Sequence, residues 1–443
     1  MVRAIAIVTG ANSGVGYAIC QRLMLQLSVP NPPDCSPQPL VHRDETSESY
    51  SPSSPFDSLT IILACRNKQR GLEARDNLLT FIDVELLKRK RDRRRHSSAD
   101  NDTLTAYEDV FRKGLVVDFI PCDLASVSSV LTFCETVQRN YPYITHLFCN
   151  AGLGAFLGLN WFRLAYEFAT NFLRALILPK FKLQQAGVLS DDGLGWVWQC
   201  NVFGHYLMAR NLKQTLRSSP PIVHPSRVIW TSTLDTCPES FDRTLDDWQL
   251  VKSEVSYEHS KFETELIAIR LNEAYRTPTA TDDSVGTGTA IAPEIRHFVT
   301  HPGVPHTQVF AVLGNFLNWI ASFAFILARW LGSVHNHVDA IVGAASAVHV
   351  ALAPTSYLHP ADAPITYGSQ TDFWARSRVS AYECEPWGGP GGTGAGPVNL
   401  TPDEKEEMAR IADSLIVKCD ALCEAWEIKE GKGVAGAPTV DKP

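Results

Sequence analysis

Tyr257 and Lys261 form a pair that can do acid–base chemistry. On a helix, residues four apart lie one turn apart on the same face, so the phenol and the ammonium can act together. A free phenol has a pKa of about 10, which is too high for efficient proton exchange near neutral pH. A neighbouring positive charge favours the phenolate and lowers that pKa. The pair therefore predicts a tyrosine that donates a proton to a carbonyl oxygen, although the same spacing is also common by chance.

A glycine-rich turn near the start of the chain predicts a site for the phosphates of a cofactor. It runs Thr9-Gly10-Ala11-Asn12-Ser13-Gly14-Val15-Gly16, between an apolar run at 4–8 and an amphipathic stretch. Gly10 permits the tight turn, Gly14 lets the backbone approach a pyrophosphate, and Gly16 lets the helix pack on the strand. The helix N-terminus adds N–H donors and a partial positive charge. This strand, turn and helix order favours dinucleotide binding over an ordinary turn.

The end of the second predicted strand indicates which nicotinamide cofactor binds. An enzyme that uses NAD places a carboxylate there, on the hydroxyls of the adenosine ribose. Here the residues are Ala64, Cys65 and Arg66, without an acid. A guanidinium suits a 2′-phosphate, which it can bind through two hydrogen bonds. Arg66 therefore favours NADPH/NADP, with an ordinary surface arginine as the alternative.

Six short apolar runs, separated by helical patterns, are expected to position these side chains. They lie at 4–8, 59–64, 115–121, 146–149, 227–231 and 297–300, and 365–368 is a candidate last strand. Each of the six ends in a polar or Gly-rich signal, which is typical of an α/β fold with a doubly wound parallel sheet (a Rossmann fold). We expect one such domain over 1–380. A Gly-rich linker, an amphipathic helix at 402–426 and a loose tail follow within 381–443.

Two polar segments predict surface insertions in this domain. Residues 28–57 are rich in Pro, Ser, Asp and Glu, a composition typical of a disordered insertion. The second insertion covers about 88–112 and begins with a basic run at 88–95. We expect that run to be solvated, with a nuclear signal, a nucleic-acid patch and contact with anionic head groups as alternatives.

Composition and charge exclude several classes of protein. Hydrophobic residues make up 45% of the 443, enough for a sizeable core, and the net charge of −8 gives no reason to expect nucleic acid. Eleven cysteines without CxxC pairs or His-rich spacing indicate neither a metal site nor a disulfide framework. The first residues run directly into a buried strand, so we expect no signal peptide and a reducing compartment facing the cytosol.

Several motifs, taken in order over about 2–307, resemble the short-chain dehydrogenase/reductase family. They are TGxxxGxG at Thr9–Gly16, NAG at Asn150–Gly152, Asn201, Ser232-Thr233, the Tyr257–Lys261 pair, and PG at Pro302–Gly303. The resemblance implies that the glycine turn, including Asn12, Ser13 and Val15, and the NAG segment line the cofactor site. It also places Asp123 near the adenine, Asn201 on a water joining Lys261 to solvent, and Val304 and Thr307 at the nicotinamide amide.

The hydroxyl pair departs from the family pattern. Family members usually carry Ser-Ser after the fifth strand, and the second hydroxyl is generally the catalytic one. This chain has Ser232 followed by Thr233. A threonine hydroxyl can make the same hydrogen bond to a carbonyl, so either residue is a candidate.

A narrower resemblance is to the 3-keto-steroid reductases of sterol synthesis. It rests on IWTSTLD at 229–235, DDWQL at 246–250, SYEHSK at 256–261 and IRHFVTHPG at 295–303. It implies NADPH-dependent reduction of the 3-ketone of a C-4-demethylated sterol to the 3β-hydroxy sterol. It further implies the cytosolic face of the endoplasmic reticulum or a lipid droplet, beside other C-4 demethylation enzymes. The alternatives are another lipid or retinoid-type carbonyl reductase and a non-catalytic scaffold, and the intact Tyr257, Lys261 and Asn201 disfavour the scaffold.

An almost entirely apolar and aromatic stretch covers 309–331, after the sixth strand. Its length reaches the roughly 20 residues that span a bilayer. In this fold the segment there covers the substrate pocket, and a span would separate the last strand from the sheet. We therefore expect a lid that also enters the membrane interface, with a buried helix pair and a true span as alternatives. A second aromatic patch, at 156–181, is a candidate wall of the same pocket.

Overall fold

The computed structural model describes residues 2–36, 54, 56–95, 100–223, 225–236, 238–274, 295–305, 315–360, 363–384, 386 and 400–431. Its strands are β1 (Arg3–Thr9), β2 (Ser58–Cys65), β3 (Val116–Pro121), β4 (His146–Cys149), β5 (Phe156–Leu159), β6 (Lys182–Gln184), β7 (Ser226–Thr231), β8 (Ile295–His301), β9 (Val304–Pro305), β10 (Asn336–His337), β11 (Ile365–Thr371) and β12 (Ser377–Glu383). Its helices are α1 (Gly14–Leu27), α2 (Lys68–Arg95), α3 (Asp100–Gly114), α4 (Val127–Asn140), α5 (Trp161–Thr170), α6 (Phe172–Ile177), α7 (Trp196–Trp198), α8 (Gly204–Asn211), α9 (Lys213–Arg217), α10 (Ser256–Ala274), α11 (Asn315–Trp330), α12 (Ala340–Gly343), α13 (Ala345–Leu352) and α14 (Pro402–Lys429).

An eight-stranded central sheet has the order β3-β2-β1-β4-β7-β8-β11-β12. All neighbouring strands run parallel except β12, which is antiparallel to β11. The order reverses between β1 and β4, and in such sheets a ligand crevice lies beyond the carboxyl ends of the strands at that point. The predicted doubly wound α/β fold is confirmed, and the candidate strand at 365–368 is part of β11.

The inner strands are apolar on both faces, because helices cover both sides of the sheet. Along β1, Ile5 and Ile7 point into one core and Ala6 and Val8 into the other, as the two-residue period of a strand requires. Helices α1, α2 and α13 cover one face, and α4, α8, α10 and α14 cover the other. Side chains at the carboxyl edge therefore stand on strands held rigidly between two cores.

The C-terminal helix is longer than predicted and belongs to the main core. Thr401 and Glu404 form a capping box at the start of α14, and the helix continues to Lys429. Its buried face, which includes Leu415 and Cys419, packs on α10. Beside this contact, Arg270 of α10 and Asp413 of α14 form an ion pair at 2.6 Å. The strand β12, which the sequence did not indicate, crosses the expected boundary at 380. Residues 387–399, which contain most of the Gly-rich linker expected after Gly388, lie outside the described residues, as does the tail at 432–443.

The basic run at 88–95 is the C-terminal end of α2 rather than the start of an irregular insertion. Lysine and arginine are good helix formers, and α3 supplies the opposing charge. Arg89 and Arg93 both form ion pairs with Glu108, while Arg94 and Arg95 are exposed. Because Phe111 of α3 is 1% exposed, α3 is part of the core and not a solvated segment.

The described part of the first predicted insertion is attached to the domain. Arg22 and Asp34 form a buried ion pair at 2.6 Å, and His349 Nδ1 lies 2.8 Å from the carbonyl oxygen of Asp34. Residues 37–53 and 55 lie outside the described residues. The prediction of a disordered surface insertion at 28–57 is therefore wrong for 28–36, which folds against α1 and α13, and for Phe56, which is buried in the core.

Candidate active site

Tyr257 and Lys261 lie on successive turns at the N-terminal end of α10. Lys261 is buried, donates a 2.8 Å hydrogen bond from Nζ to the carbonyl oxygen of Thr231, and lies 5.9 Å from the centre of the Tyr257 ring. Burial lowers the pKa of Lys261 to about 8, because its effect exceeds those of the nearby Cys149 and Glu265, which raise that pKa. The pair has the expected arrangement on one helix face.

The pKa of Tyr257 differs from the sequence expectation. Burial raises it above its ordinary value, and the largest opposing influence is the positive charge of Lys182. Lys261 was expected to lower this pKa, but its ammonium is directed at a backbone carbonyl. The phenol is thus a weaker acid than the spacing alone suggested.

Ser232 and Thr233 point to different partners. Ser232 is 2% exposed and donates a 2.6 Å hydrogen bond from Oγ to the buried Glu265 carboxylate. The Thr233 hydroxyl instead lies next to the phenol of Tyr257 and lowers the pKa of that phenol. Of the two candidate hydroxyls, the one beside Tyr257 is therefore Thr233.

Asn201 lies in a π-helical turn, Gln199–Phe203, between α7 and α8. Such widened turns are frequent at functional sites because they redirect a side chain. The Asn201 amide accepts from Leu153 N at 2.8 Å and donates to Leu153 O and to Ser260 Oγ, each at 2.9 Å. A Cβ added to Gly152 would lie 3.4 Å from both Asn201 Oδ1 and Lys261 Nζ. The NAG segment, the π turn and α10 therefore meet at Gly152.

The glycine turn between β1 and α1 has the shape that a bound phosphate requires. Gly10 and Gly14 have φ of +66° and +56°, which favour glycine. A Cβ on Gly16 would lie 2.5 Å from Gly10 O, and one on Gly10 would lie 3.1 Å from Ala151. Ser13 precedes α1 without capping it through its side chain. The turn thus forms a cradle that larger side chains would fill, and it fits the phosphates of a dinucleotide.

Thr9 ties this cradle to the NAG segment. Its hydroxyl accepts hydrogen bonds from the backbone N–H groups of Asn150 and Ala151, both at 2.9 Å. The Asn150 side chain returns a 3.0 Å hydrogen bond to Thr9 O. These contacts hold the carboxyl ends of β1 and β4 together at the point where the strand order reverses.

The remaining predicted cofactor residues lie along the same edge of the sheet. Arg66 is exposed just after β2, and Asp123 follows β3, where its carboxylate accepts from Ala125 N at 3.0 Å. Pro302 and Gly303 follow β8, where Gly303 has φ of +70° and leads into β9, which begins at Val304. Thr307 lies outside the described residues. With that exception, the structure brings the predicted site residues to one edge, including Asn12 and Val15 of the turn.

Three charged residues near Tyr257 were not identified from the sequence. Lys182 Nζ lies 2.6 Å from Asp235 Oδ2 and 2.7 Å from Glu258 Oε1, and it lies 5.6 Å from the centre of the Tyr257 ring. Lys182 is in β6, far from α10 along the chain. Asp235 and Glu258 lie in the motifs at 229–235 and 256–261, which could have drawn attention to them, whereas Lys182 had no local signal.

Residues 156–184, here called the excursion, leave the sheet after the NAG segment and return before α7. The antiparallel strands β5 and β6 form its base, and α5 and α6 form its outer part. Phe156 packs against Tyr257 with ring centres 5.8 Å apart, as expected of a pocket wall. Trp161, Phe162 and Tyr166 of α5 are instead 60%, 92% and 68% exposed. The base of the predicted aromatic wall therefore contacts the site, whereas these three side chains of α5 face solvent.

The described part of the 309–331 segment is α11, which begins at Asn315. Phe325 and Ala328 are buried, whereas Phe323 and Trp330 are 54% and 55% exposed. Trp330 stacks on Phe373, with ring centres 6.5 Å apart. Among the described residues, none of the helices has both the length and the apolar character needed to cross a bilayer.

The chain is similar to several 3-keto-steroid reductases. It is 27% identical to the one from Aspergillus fumigatus over 464 residues, which cover 95% of this chain and 93% of that one. It is 30% identical to the one from Eremothecium gossypii over 291 residues, which cover 65% of this chain and 76% of that one. The Saccharomyces cerevisiae protein is 29% identical over 61% of this chain and 72% of its own length. The chain matches no family model.

The solved structures that resemble this chain do so weakly. An L-sorbose reductase from Gluconobacter frateurii, solved with NADPH and L-sorbose, is 14% identical, with a TM-score of 0.44 over 84% of this chain and 96% of that one. A likeness at that level carries no information about substrate. The sequence relatives, by contrast, span most of the chain, and the chain belongs to the 3-keto-steroid reductase family.

Proposed function

We propose that this protein uses NADPH to reduce the 3-ketone of a C-4-demethylated sterol to the 3β-hydroxy sterol, in sterol biosynthesis. The observation that carries the proposal is the placement of Tyr257 and Lys261 on one face of α10, next to Thr233 and a glycine cradle at the carboxyl edge. A hydroxyl and a phenol side by side can bind one carbonyl oxygen together. The named activity of the relatives supplies the substrate class.

The cofactor would lie between the glycine cradle and α10. Gly10 to Gly16 would hold its phosphates, and Asn150 to Gly152 would form the floor under it. Arg66, exposed just after β2 where NAD enzymes carry an acid, would bind a 2′-phosphate and so favour NADPH over NADH. When bound, the cofactor supplies a hydride to the carbonyl carbon.

The side chains supply the proton and the orientation. Tyr257 would give its Oη proton to the ketone oxygen as the C–H bond forms, which leaves an alcohol on the sterol and a phenolate on Tyr257. Thr233 would hold the ketone oxygen through a hydrogen bond. Lys261 would stabilise the phenolate, and Asn201 would fix the segment at Leu153 that faces it.

The site of action we propose is the cytosolic surface of the endoplasmic reticulum or of a lipid droplet, near the other C-4 demethylation enzymes. Exposed aromatic side chains on α5 and α11 support this, because such side chains enter the headgroup region of a bilayer. A sterol ketone is nearly insoluble, so an entrance that opens toward lipid would spare it a passage through water.

Tyr257→Phe tests the chemistry. Reduction of a 3-keto sterol should fall by about a hundredfold or more, because the proton donor is lost, while NADPH binding persists. The measurement is NADPH oxidation matched mole for mole by sterol alcohol, with NADPH affinity followed separately by fluorescence. Retinal and an aliphatic ketone serve as alternative substrates for the wild-type protein.

The outcomes separate the candidate functions. Faster turnover of retinal than of the sterol would identify another lipid reductase. Tight NADPH binding without turnover of any ketone would indicate a scaffold. Near-wild-type turnover by the Tyr257→Phe variant would show that another group is the acid.

A further inference from the structure

The ion pairs of Lys182 join the excursion to the proposed proton donor. Lys182, Asp235 and Glu258, here called the clamp, come from β6, from the loop after β7 and from the first turn of α10. Their side chains are 19%, 10% and 5% exposed, so the three charges lie mostly out of water. Nζ of Lys182 contacts both carboxylates within 2.7 Å.

A second contact from β6 fixes the backbone of the same helix turn. The Gln184 side-chain oxygen accepts a 3.0 Å hydrogen bond from Tyr257 N and a 3.3 Å hydrogen bond from Ser256 Oγ. Its amide nitrogen donates to Glu258. The first N–H groups of a helix have no partner within the helix, so β6 supplies one from outside. The excursion therefore positions both the backbone and the ring surroundings of Tyr257.

The ring of Tyr257 lies within 6 Å of two cations. Lys182 Nζ is 5.6 Å from its centre and Lys261 Nζ is 5.9 Å from it. Lys182 also lies 5.7 Å from the centre of the Phe156 ring, which packs on Tyr257. The two ammonium groups have different partners, since Lys261 donates to a backbone carbonyl and Lys182 to two carboxylates.

We propose that Lys182 is a positioning residue for the reduction, which holds the excursion on α10 and supplies the charge that stabilises the phenolate left on Tyr257. This inference rests on the proposed function only for the step that creates the phenolate. The clamp itself is a property of the protein without substrate. It adds a second cation, from outside the Rossmann sheet, to the lysine that the Tyr257–Lys261 motif provides.

The charges that surround the phenol agree with this role. Lys182 lowers the pKa of Tyr257, as does the Thr233 hydroxyl, while burial, Glu258 and Asp235 raise it. Burial by itself would lower the pKa of Lys182, but the two carboxylates outweigh burial and keep that pKa above its usual value. Lys261, with a pKa of about 8, loses its charge at mildly alkaline pH. Lys182 thus stays positive where Lys261 does not.

Two substitutions should move the pKa of Tyr257 in opposite directions. Lys182→Met leaves the Asp235 and Glu258 carboxylates without their cation, so the phenol pKa should rise by about one unit or more. Asp235→Asn removes one negative charge and keeps the side-chain shape, so that pKa should fall. Lys182→Arg keeps the charge and should recover most of the shift that methionine causes. Lys180→Met, an exposed lysine of the same excursion, should cause a much smaller shift.

The measurement has one arm without substrate and one with it. The first follows phenol ionisation by ultraviolet difference absorbance, with Tyr257→Phe subtracted to isolate one tyrosine. The second follows reduction against pH. Because reduction needs the protonated phenol, activity is lost as pH rises through the pKa, and this loss should move to higher pH in Lys182→Met and to lower pH in Asp235→Asn. At neutral pH, Lys182→Met should reduce kcat about tenfold or more with little change in KM.

The outcomes distinguish the clamp from the proposed function. If both substitutions move the titration the same way, or only lower the melting temperature, Lys182 is merely structural and the proposal is wrong. If Lys182→Met does not fold, Asp235→Asn and Lys182→Arg still give the sign of the shift. Opposite shifts in the substrate-free arm, with a wild-type protein that reduces no 3-keto sterol, would refute the function and support the clamp.

Discussion

Ser232 and Thr233 show how neighbouring residues with the same chemical group take different tasks. Successive residues at the end of a strand point to opposite sides, so one hydroxyl meets the buried Glu265 and the other meets Tyr257. The family pattern favours the second position. Thr233 occupies that position, with a methyl group that a serine lacks.

Single alanine substitutions should separate the two hydroxyls. Thr233→Ala should lower kcat about a hundredfold, since a hydrogen-bond donor to the reacting oxygen is lost. Ser232→Ala should act on stability instead, by about 1 to 3 kcal/mol, because the buried Glu265 loses a donor. Steady-state kinetics and chemical denaturation of both variants make the comparison. A loss of kcat confined to Ser232→Ala would reverse the assignment.

Arg66 governs the choice of cofactor in our proposal. Arg66→Asp should weaken NADPH binding through charge repulsion with the 2′-phosphate and could allow some use of NADH. The ratio of kcat/KM for the two cofactors measures this. Arg139→Asp is a matched control, because Arg139 is exposed at the C-terminal end of α4, away from the carboxyl edge. An unchanged affinity for NADPH in Arg66→Asp would mean that another residue reads the phosphate.

Secondary structure elements near the site were predictable where their signals are local. The six apolar runs predicted six strands of the sheet, because parallel strands are buried on both faces. The glycine turn marked the start of α1, since its backbone angles favour glycine. Polar residues after β2, β3 and β4 indicated the binding edge, because ligands of a parallel sheet bind beyond the carboxyl ends of its strands.

Other elements depend on contacts between distant segments and gave no local signal. The strand β12 pairs antiparallel with β11 in a region of mixed composition. Lys182 is an ordinary lysine in an aromatic-rich segment until β6 places it against Asp235 and Glu258. The helical form of 88–95 was missed because its dense positive charge suggested solvation, whereas Glu108 and Asp109 of α3 neutralise part of it.

The exposed aromatic side chains of α11 carry a prediction about membranes. Phe323→Asp and Trp330→Asp should each lower recovery of the protein with sterol-containing vesicles and lower sterol turnover, because a charge in the headgroup–acyl boundary opposes insertion. Val417→Asp, at an exposed apolar position of α14, is the control. Binding is measured by vesicle sedimentation.

Extraction of membranes at high pH gives the complementary test. We expect alkaline carbonate to release much of the protein, since interfacial binding is reversible. Retention of all the protein in the pellet would contradict a peripheral attachment. A protein that never sediments with vesicles would contradict membrane association altogether.

The whole molecule should lose stability as the pH falls below the ordinary pKa of histidine. Burial lowers the pKa to about 3 or 4 for His146, His205, His297, His335 and His337. The unfolded chain therefore binds more protons than the native protein below about pH 6.5, so acid favours unfolding. Each such histidine contributes up to about 1.4 kcal/mol per pH unit. Glu263, whose pKa burial raises, acts in the opposite direction and offsets part of this.

Denaturant titrations between about pH 6.5 and about pH 5 should show a fall of several kcal/mol in the free energy of unfolding. His146→Gln should reduce the slope of the free energy of unfolding against pH by the contribution of one histidine, independently of its effect on the free energy at neutral pH. A free energy that stays flat over this range would mean that these rings are protonated in the native protein.

None of the ten cysteines of the described residues forms a disulfide, and all ten are buried. Burial raises the pKa of Cys35 and Cys200 to about 12. Only the thiolate form of a cysteine reacts rapidly with a thiol reagent. A buried cysteine is therefore labelled only when the chain around its thiol opens. Because Cys20, Cys134 and Cys419 lie in α1, α4 and α14, their labelling rates would time the breathing of each helix separately. Comparing the labelling rate of Cys419 with those of Cys20 and Cys134 would therefore show whether α14 detaches before the cofactor-binding half opens.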